Sequence, residues 1–155
     1  MESLLIDANV LISLFSKKTE ERDRFRIQGL FQDAAKNKEK ILLPAPALAE
    51  FAAHASGEEM ALVGSDAFRI APFDAKAAYE CAVFLQKWAK TTKQPRQKVR
   101  AKFDFQILAI AKTNAVALLV TDDRQLLRQA KAEGIMAKLV SELPIPDHFR
   151  QRPLL

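Results

Sequence analysis

Apolar residues in this chain gather into short runs separated by longer stretches of helical spacing. Ser3 to Ile6, Ile41 to Leu43, Phe68 to Ala71, Ala117 to Val120 and Ala137 to Val140 are each strand-sized, and runs this uniformly apolar belong to strands covered on both faces. Between them, Arg22 to Lys36 sets Phe25, Ile27, Leu30, Phe31, Ala34 and Ala35 close to the helical period. Asp74 is placed to cap a second helix whose stripe is Ala78, Cys81, Ala82, Leu85 and Trp88. A third helical pattern opens at Asp104 and continues through Ile107, Leu108 and Ala111, and a fourth runs from Arg124 through Leu127 to a stop at Gly134. This alternation predicts an α/β fold, a three-layer α/β/α sandwich around a mostly parallel sheet with right-handed crossovers. Ligands of such sheets bind beyond the strand C-termini, where strand order reverses.

The chain has 155 residues, room for one domain, placed here at residues 1–140. Residues 141–155 hold three prolines and little periodicity, so they are expected to form a C-terminal tail or arm, and Thr91 to Gln97 an internal loop. Apolar residues make up 49% and charged ones 28%, which favours a packed core over disorder. The single cysteine, Cys81, excludes an internal disulfide, and His54 and His148 lack the companions of a zinc site. Four scattered glycines supply neither a phosphate loop nor a dinucleotide fingerprint. The opening MESLLIDANVLISLF carries acids at Glu2 and Asp7 and no basic start, unlike a signal peptide. No apolar run reaches the roughly 18 residues that cross a bilayer. A cytoplasmic protein with no membrane partner is the expectation.

The acids carry the chemistry. From Ser3 to Ser16 the only charged side chain is Asp7; from Ile41 to Gly57 it is Glu50, His54 aside; between Lys102 and Lys112 it is Asp104. Each stands alone in a core-like segment, where an uncompensated carboxylate is costly. Asp7 ends the first strand, Asp122 and Asp123 follow the fourth, Asp104 opens the helix that feeds it, and Glu50 rides the helix begun by Pro44 and Pro46. If strands one and four are neighbours at the reversal point, four acids line one cleft. Carboxylates about 4 Å apart repel by roughly 4 kcal/mol per pair at an effective dielectric near 20, so the cluster calls for protons or divalent cations. One or two Mg²⁺ or Mn²⁺ ions would suit oxygen ligands and phosphodiester hydrolysis. Taken singly, each acid has a plainer role: Asp7 in an Asx turn with Asn9 capping the next helix, Asp104 and Asp122 or Asp123 as helix caps, Glu50 on a solvated face.

Read in order, IDANVLI at Ile6 to Ile12, Glu50 in PALAEF, FDFQILAIA from Phe103 to Ala111 and LVTDDRQL from Leu119 to Leu126 resemble the four acidic motifs of the PIN-domain nucleases, and within them the VapC-type toxin ribonucleases. The resemblance implies strand order 3-2-1-4-5 and an Mg²⁺- or Mn²⁺-dependent endoribonuclease, the toxin of a toxin–antitoxin pair. It places catalytic and metal-binding roles on Asp7, Glu50, Asp104 and Asp123, with Asn9 and Thr121 supporting them; Asp122, beside Asp123, is counted as a further supporting residue. It also implies an RNA substrate, a protein antitoxin and a homodimer. Asp122 is an acid beyond the family pattern.

The formal charge is +5, from 24 Lys and Arg against 19 Asp and Glu, a tilt toward a polyanion. Between Glu80 and Asp104 no acid occurs, while Lys87, Lys90, Lys93, Arg96, Lys98, Arg100 and Lys102 are all basic. Lys93, Arg96, Lys98, Arg100 and Lys102 are therefore candidate RNA-phosphate contacts, against a simple solvated helix end. Two other readings stay open: an Mg²⁺-dependent aspartyl-phosphate phosphohydrolase with Asp7 as nucleophile, and a catalytically inert PIN-like RNA-binding module.

Overall fold

The computed structural model describes residues 4–90 and 95–150. The chain runs β1 (Leu4–Ile6), α1 (Ala8–Phe15), α2 (Glu21–Lys36), β2 (Ile41–Pro44), α3 (Ala45–Ala52), α4 (Gly57–Val63), β3 (Phe68–Ala71), α5 (Ala75–Ala89), α6 (Pro95–Thr113), β4 (Leu118–Val120), α7 (Arg124–Ala132), β5 (Ala137–Lys138), a 3₁₀ turn (Val140–Glu142) and α8 (Asp147–Arg150). The strands form one sheet in the order β3-β2-β1-β4-β5, and every pair is parallel. Period-two alternation sorts the strand side chains between two cores. Leu4, Ile6, Ile41, Leu43 and Val120 meet α1, α2, α3 and α4 on one face. Leu5, Leu42 and Leu119 meet α5, α6 and α7 on the other. This is the expected α/β/α sandwich, and double coverage explains why the strands are apolar throughout.

Local chemistry sets the helix ends. Asp74 caps α5 by accepting from the Ala77 amide at 2.9 Å, as expected. Ser56 and Glu59 close a reciprocal capping box on α4. Helix α7 stops at Gly134, φ +75°, where the Gly134 amide reaches Lys131 O and the Ile135 amide reaches Ala130 O, the paired bonds of a Schellman end. Ala115 occupies the same left-handed position after α6, φ +50°, with its amide on Lys112 O and the Val116 amide on Ala111 O. There an alanine carries a backbone strain that a glycine would avoid.

Three expectations need correction. Asp104 does not open a helix: α6 starts at Pro95 and Asp104 lies well inside it. The expected loop at 91–97 therefore contributes its last residues to α6, while 91–94 fall outside the described residues. The run KQPRQKVRAK hides the helix because its polar half has no apolar stripe, whereas Ile107 to Ala111 is buried on all sides. The last strand is shorter than expected, since Val140 already belongs to the 3₁₀ turn.

The described part of the expected tail packs against α2. Leu143 is buried and its carbonyl accepts from Nε of Arg26 at 3.0 Å. A Cβ on Gly29 would overlap the Pro146 ring, so the close approach here needs glycine. Phe25 and Phe149 stack with centroids 4.1 Å apart.

Candidate active site

Strands β1, β2 and β4 end at one edge of the sheet, and the residues just beyond them build the site. Ile6 lies opposite Val120 in the β1–β4 pair, which brings Asp7 beside Thr121 across 114 residues of sequence. Asp7 caps α1: its Oδ1 accepts from the Ala8 amide at 2.7 Å. Its Oδ2 accepts from Asn9 Nδ2 at 2.9 Å and from the Thr121 hydroxyl at 3.1 Å. Thr121 is fully buried, and its Oγ1 accepts from the Asp123 amide at 3.0 Å. Asn9, in the first turn of α1, accepts from the Asp122 amide at 3.0 Å, so one side chain ties the end of β1 to the end of β4.

Asp123 caps α7, its Oδ1 accepting from the Gln125 and Leu126 amides at 2.8 and 3.2 Å. Asp104 is buried within α6, and Glu50 is exposed on α3. These acids meet in one cleft of about 530 Å³, lined by Asp7, Asn9, Glu50, Asp104 and Asp123 and by an apolar wall of Pro46, Ala49, Phe103 and Ile107. The apolar wall was not anticipated from the sequence. The exposure of Phe103 and Ala49 sets the wall apart from ordinary core residues, and exposure has no signature in a pattern that fits a helix face.

Asp122 is not among the residues lining the cleft. Its Oδ1 accepts from the Val140 amide at 3.1 Å. Burial raises its pKa, the Val140 hydrogen bond opposes the rise, and the charge of Asp23 adds to it. Its link to the site is through its amide on Asn9. Of the candidate RNA contacts, Lys102 is exposed. Arg96, Lys98 and Arg100 lie on the first turns of α6 with their side chains outside the described set, and Lys93 lies outside the described residues.

Asp7 is only 5% exposed. Burial raises its pKa from 3.8 to about 6; hydrogen bonds from Ala8 and Thr121 resist, and the charges of Glu50 and Asp123 push it further up. Among the described residues no Lys, Arg or His lines the cleft, and its four carboxylates give it a negative potential. Carboxylate oxygens with one amide beside them form a hard donor set that suits Mg²⁺ or Mn²⁺. Among the described residues no three His, Cys, Asp or Glu side chains are placed closely enough to hold a metal ion between them; the four acids line the cleft without closing on one point. An open arrangement of this kind fits an ion that keeps several waters.

Residues 4–132 match the model of the PIN domain. The chain belongs to the PIN domain family. Its fold is similar to that of DNA-bound VapBC from Salmonella typhimurium, with a TM-score of 0.62 and 19% identity over 90% of this chain and 99% of that one. VapBC2 from Rickettsia felis, bound to a DNA fragment from its promoter, gives a TM-score of 0.61 at 14% identity over 88% of this chain and 97% of that one. No curated protein matches the chain in sequence. The PIN domain match takes in Asp7, Glu50, Asp104 and Asp123, the acids that share the cleft.

The position of Asp7 gives this PIN domain a pH signature. A carboxyl whose folded pKa lies above its unfolded one penalises folding while ionised, and the penalty fades as pH falls through the folded value. With metal chelated, lowering the pH from 7.5 to 5 should raise the melting temperature, the relief from Asp7 reaching about 1.4 kcal/mol by pH 5, roughly half of what a shift from 3.8 to about 6 represents, because the rest appears only below the unfolded value. Asp7→Asn should flatten that rise; thermal melts of both proteins in EDTA across this range are the check, and an equal rise in the variant would place the effect elsewhere.

Proposed function

We propose that this PIN domain is an Mg²⁺- or Mn²⁺-dependent endoribonuclease that hydrolyses RNA phosphodiester bonds, and that it is the toxin of a toxin–antitoxin pair. The observation that carries the reading is the convergence of four acids, from four separate segments, on one cleft. Asp7, Glu50, Asp104 and Asp123 would hold one or two ions. Bound there, the metal supplies charge neutralisation at the scissile phosphate and an activated water. Asp7 is held in one orientation by three hydrogen bonds, and Asn9 and Thr121 are positioning residues that act through it. Asp123 keeps its place because the first turn of α7 holds its Oδ1. An aspartyl-phosphate enzyme would need a lysine beside the phosphate, and none lines this cleft among the described residues.

The likeness of fold to two VapBC complexes supports an antitoxin as partner. A second copy of the chain is proposed for α5. Its outer face exposes Ala75, Ala78, Tyr79, Ala82, Val83, Gln86 and Ala89, with Tyr79 at 78%. Turned antiparallel about Ala82, this face matches itself, Ala75 to Ala89 and Ala78 to Gln86, and sets Asp74 against Lys90. The start of α6 supplies the proposed path for the RNA backbone. No helix among the described residues is long and apolar enough to cross a membrane.

Three outcomes follow. RNA cleavage should require Mg²⁺ or Mn²⁺ and cease in EDTA; Asp104→Asn should lower kcat at least a hundredfold and remove the rise in melting temperature that Mn²⁺ gives the parent protein. Metal-independent cleavage would refute the reading, and no cleavage at all would leave the inert module. Replacing Lys98 and Arg100 by alanine should flatten the slope of log affinity against log salt by about 1.4, for two lost contacts to single-stranded RNA; an unchanged slope retires the basic path. Ala82→Glu, which sets like charges face to face on the two-fold axis, should sediment as a monomer where the parent sediments as a dimer.

A further inference from the structure

Phe103 is 56% exposed, although the aromatic two residues on is packed away: Phe105 is 6% exposed and lies against Phe84 and Trp88, with centroids 5.9 and 6.1 Å apart. The ring of Phe103 therefore contributes little to the core. It lines the acid cleft instead, on a wall shared with Pro46, Ala49 and Ile107. Ile107 is four residues on along α6, the spacing that stacks side chains on one helix face. Asp104 is the next residue, its Cα about 3.8 Å away. An aromatic ring thus lines the same cleft as the acids, together with Pro46, Ala49 and Ile107, and the exposed Lys102 is next to it in the chain.

We propose that Phe103 is a nucleobase subsite, stacking on the base of a nucleotide next to the phosphate bound over the acids. The proposal rests on the nuclease reading and adds to it which part of the substrate the cleft holds. The basic start of α6 and the four acids address only phosphate and metal, neither of which distinguishes a nucleic acid from another polyanion. An aromatic face adds affinity for any base, because every base has a π-face, and this favours single-stranded substrate, whose bases are free to unstack. A peptide side chain is the other occupant an exposed phenylalanine can take, but the basic run of Arg96, Lys98, Arg100 and Lys102 that leads into Phe103 in sequence favours a polyanion.

The test compares Phe103→Ala, Phe103→Leu and Phe103→Trp on oligo(rA), oligo(rU) and an abasic sugar–phosphate oligomer of the same length. Stacking at the level usual for aromatic platforms should make Phe103→Ala raise KM for oligo(rA) about tenfold, the larger part of the loss falling on KM rather than kcat. Phe103→Leu should lose as much, since it keeps apolar bulk without a π-face, and Phe103→Trp should keep parent affinity. The indole that Phe103→Trp introduces should be quenched by oligo(rA) and not by the abasic oligomer, after subtraction of the parent signal from Trp88. Leucine working as well as phenylalanine, or equal quenching by the abasic oligomer, overturns the subsite while leaving the nuclease reading intact. Base-dependent quenching in a protein that cleaves no RNA with either metal upholds the subsite and removes the nuclease.

Discussion

A carboxyl group is held out of water at the end of a buried parallel strand, and the rest of the site follows from how it is kept there. Asp7 sits between Ile6 and Ala8, both fully buried, so its solvation must come from the protein. The Ala8 amide, the Asn9 amide group and the Thr121 hydroxyl provide it. Two of these three donors are local to α1; the third comes from the far half of the chain and is present only because β1 pairs with β4. That pair is also where the strand order turns, β2 on one side of β1 and β4 on the other, the place where open α/β sheets hold their ligands. A register slip of one residue would exchange Thr121 for a core valine and leave Oδ2 a donor short.

Capping and ligand binding are not rivals here. Asp7 and Asp123 both cap helices and both line the cleft. Helix N-termini offer free amides and the positive end of the helix dipole, so they hold carboxylates that would otherwise repel one another. The cleft can therefore gather acids without the full cost of their mutual charge. What remains of that cost shows in the raised pKa of Asp7, to which Glu50 and Asp123 contribute.

The sequence shows the sheet and the acids plainly because both leave unmixed signals. A strand covered on two faces has no reason to carry a polar residue, so Asp7 stands out at the end of an apolar run, while Glu50 stands out as the one charged residue of the short apolar helix α3. Asp74 and Gly134 mark helix ends by chemistry that few residues can supply. The start of α6 is hidden for the opposite reason: Pro95 to Lys102 is mostly basic and polar in sequence, while Ile107 to Ala111 is a continuous buried apolar run, so no single stripe marks the whole helix. Ala115 ends α6 in the conformation that Gly134 adopts after α7, yet an alanine gives no hint of it. Asp122 and Asp123 are neighbours of the same type, and only their partners, the Val140 amide for one and the α7 amides for the other, assign them to different jobs. The packing of residues 143–149 on α2 is equally silent, because Pro144 and Pro146 fit an extended strap as well as a loose tail.

That strap bears on the site as well as on the core. The Val140 amide holds the Asp122 carboxylate, the Asp122 amide holds Asn9 Oδ1, and Asn9 Nδ2 holds Asp7. Downstream of Val140 the chain is fixed to α2 through Leu143, Pro146 and Phe149. Residues beyond the matched 4–132 are thus joined to the first acid by an unbroken series of hydrogen bonds. Each bond in it restricts the next donor or acceptor, and a buried side chain with few alternatives takes the orientation its partners allow. Asp122 in these terms couples the segment from Val140 to Phe149 to Asn9, the residue that orients Asp7, without entering the cleft.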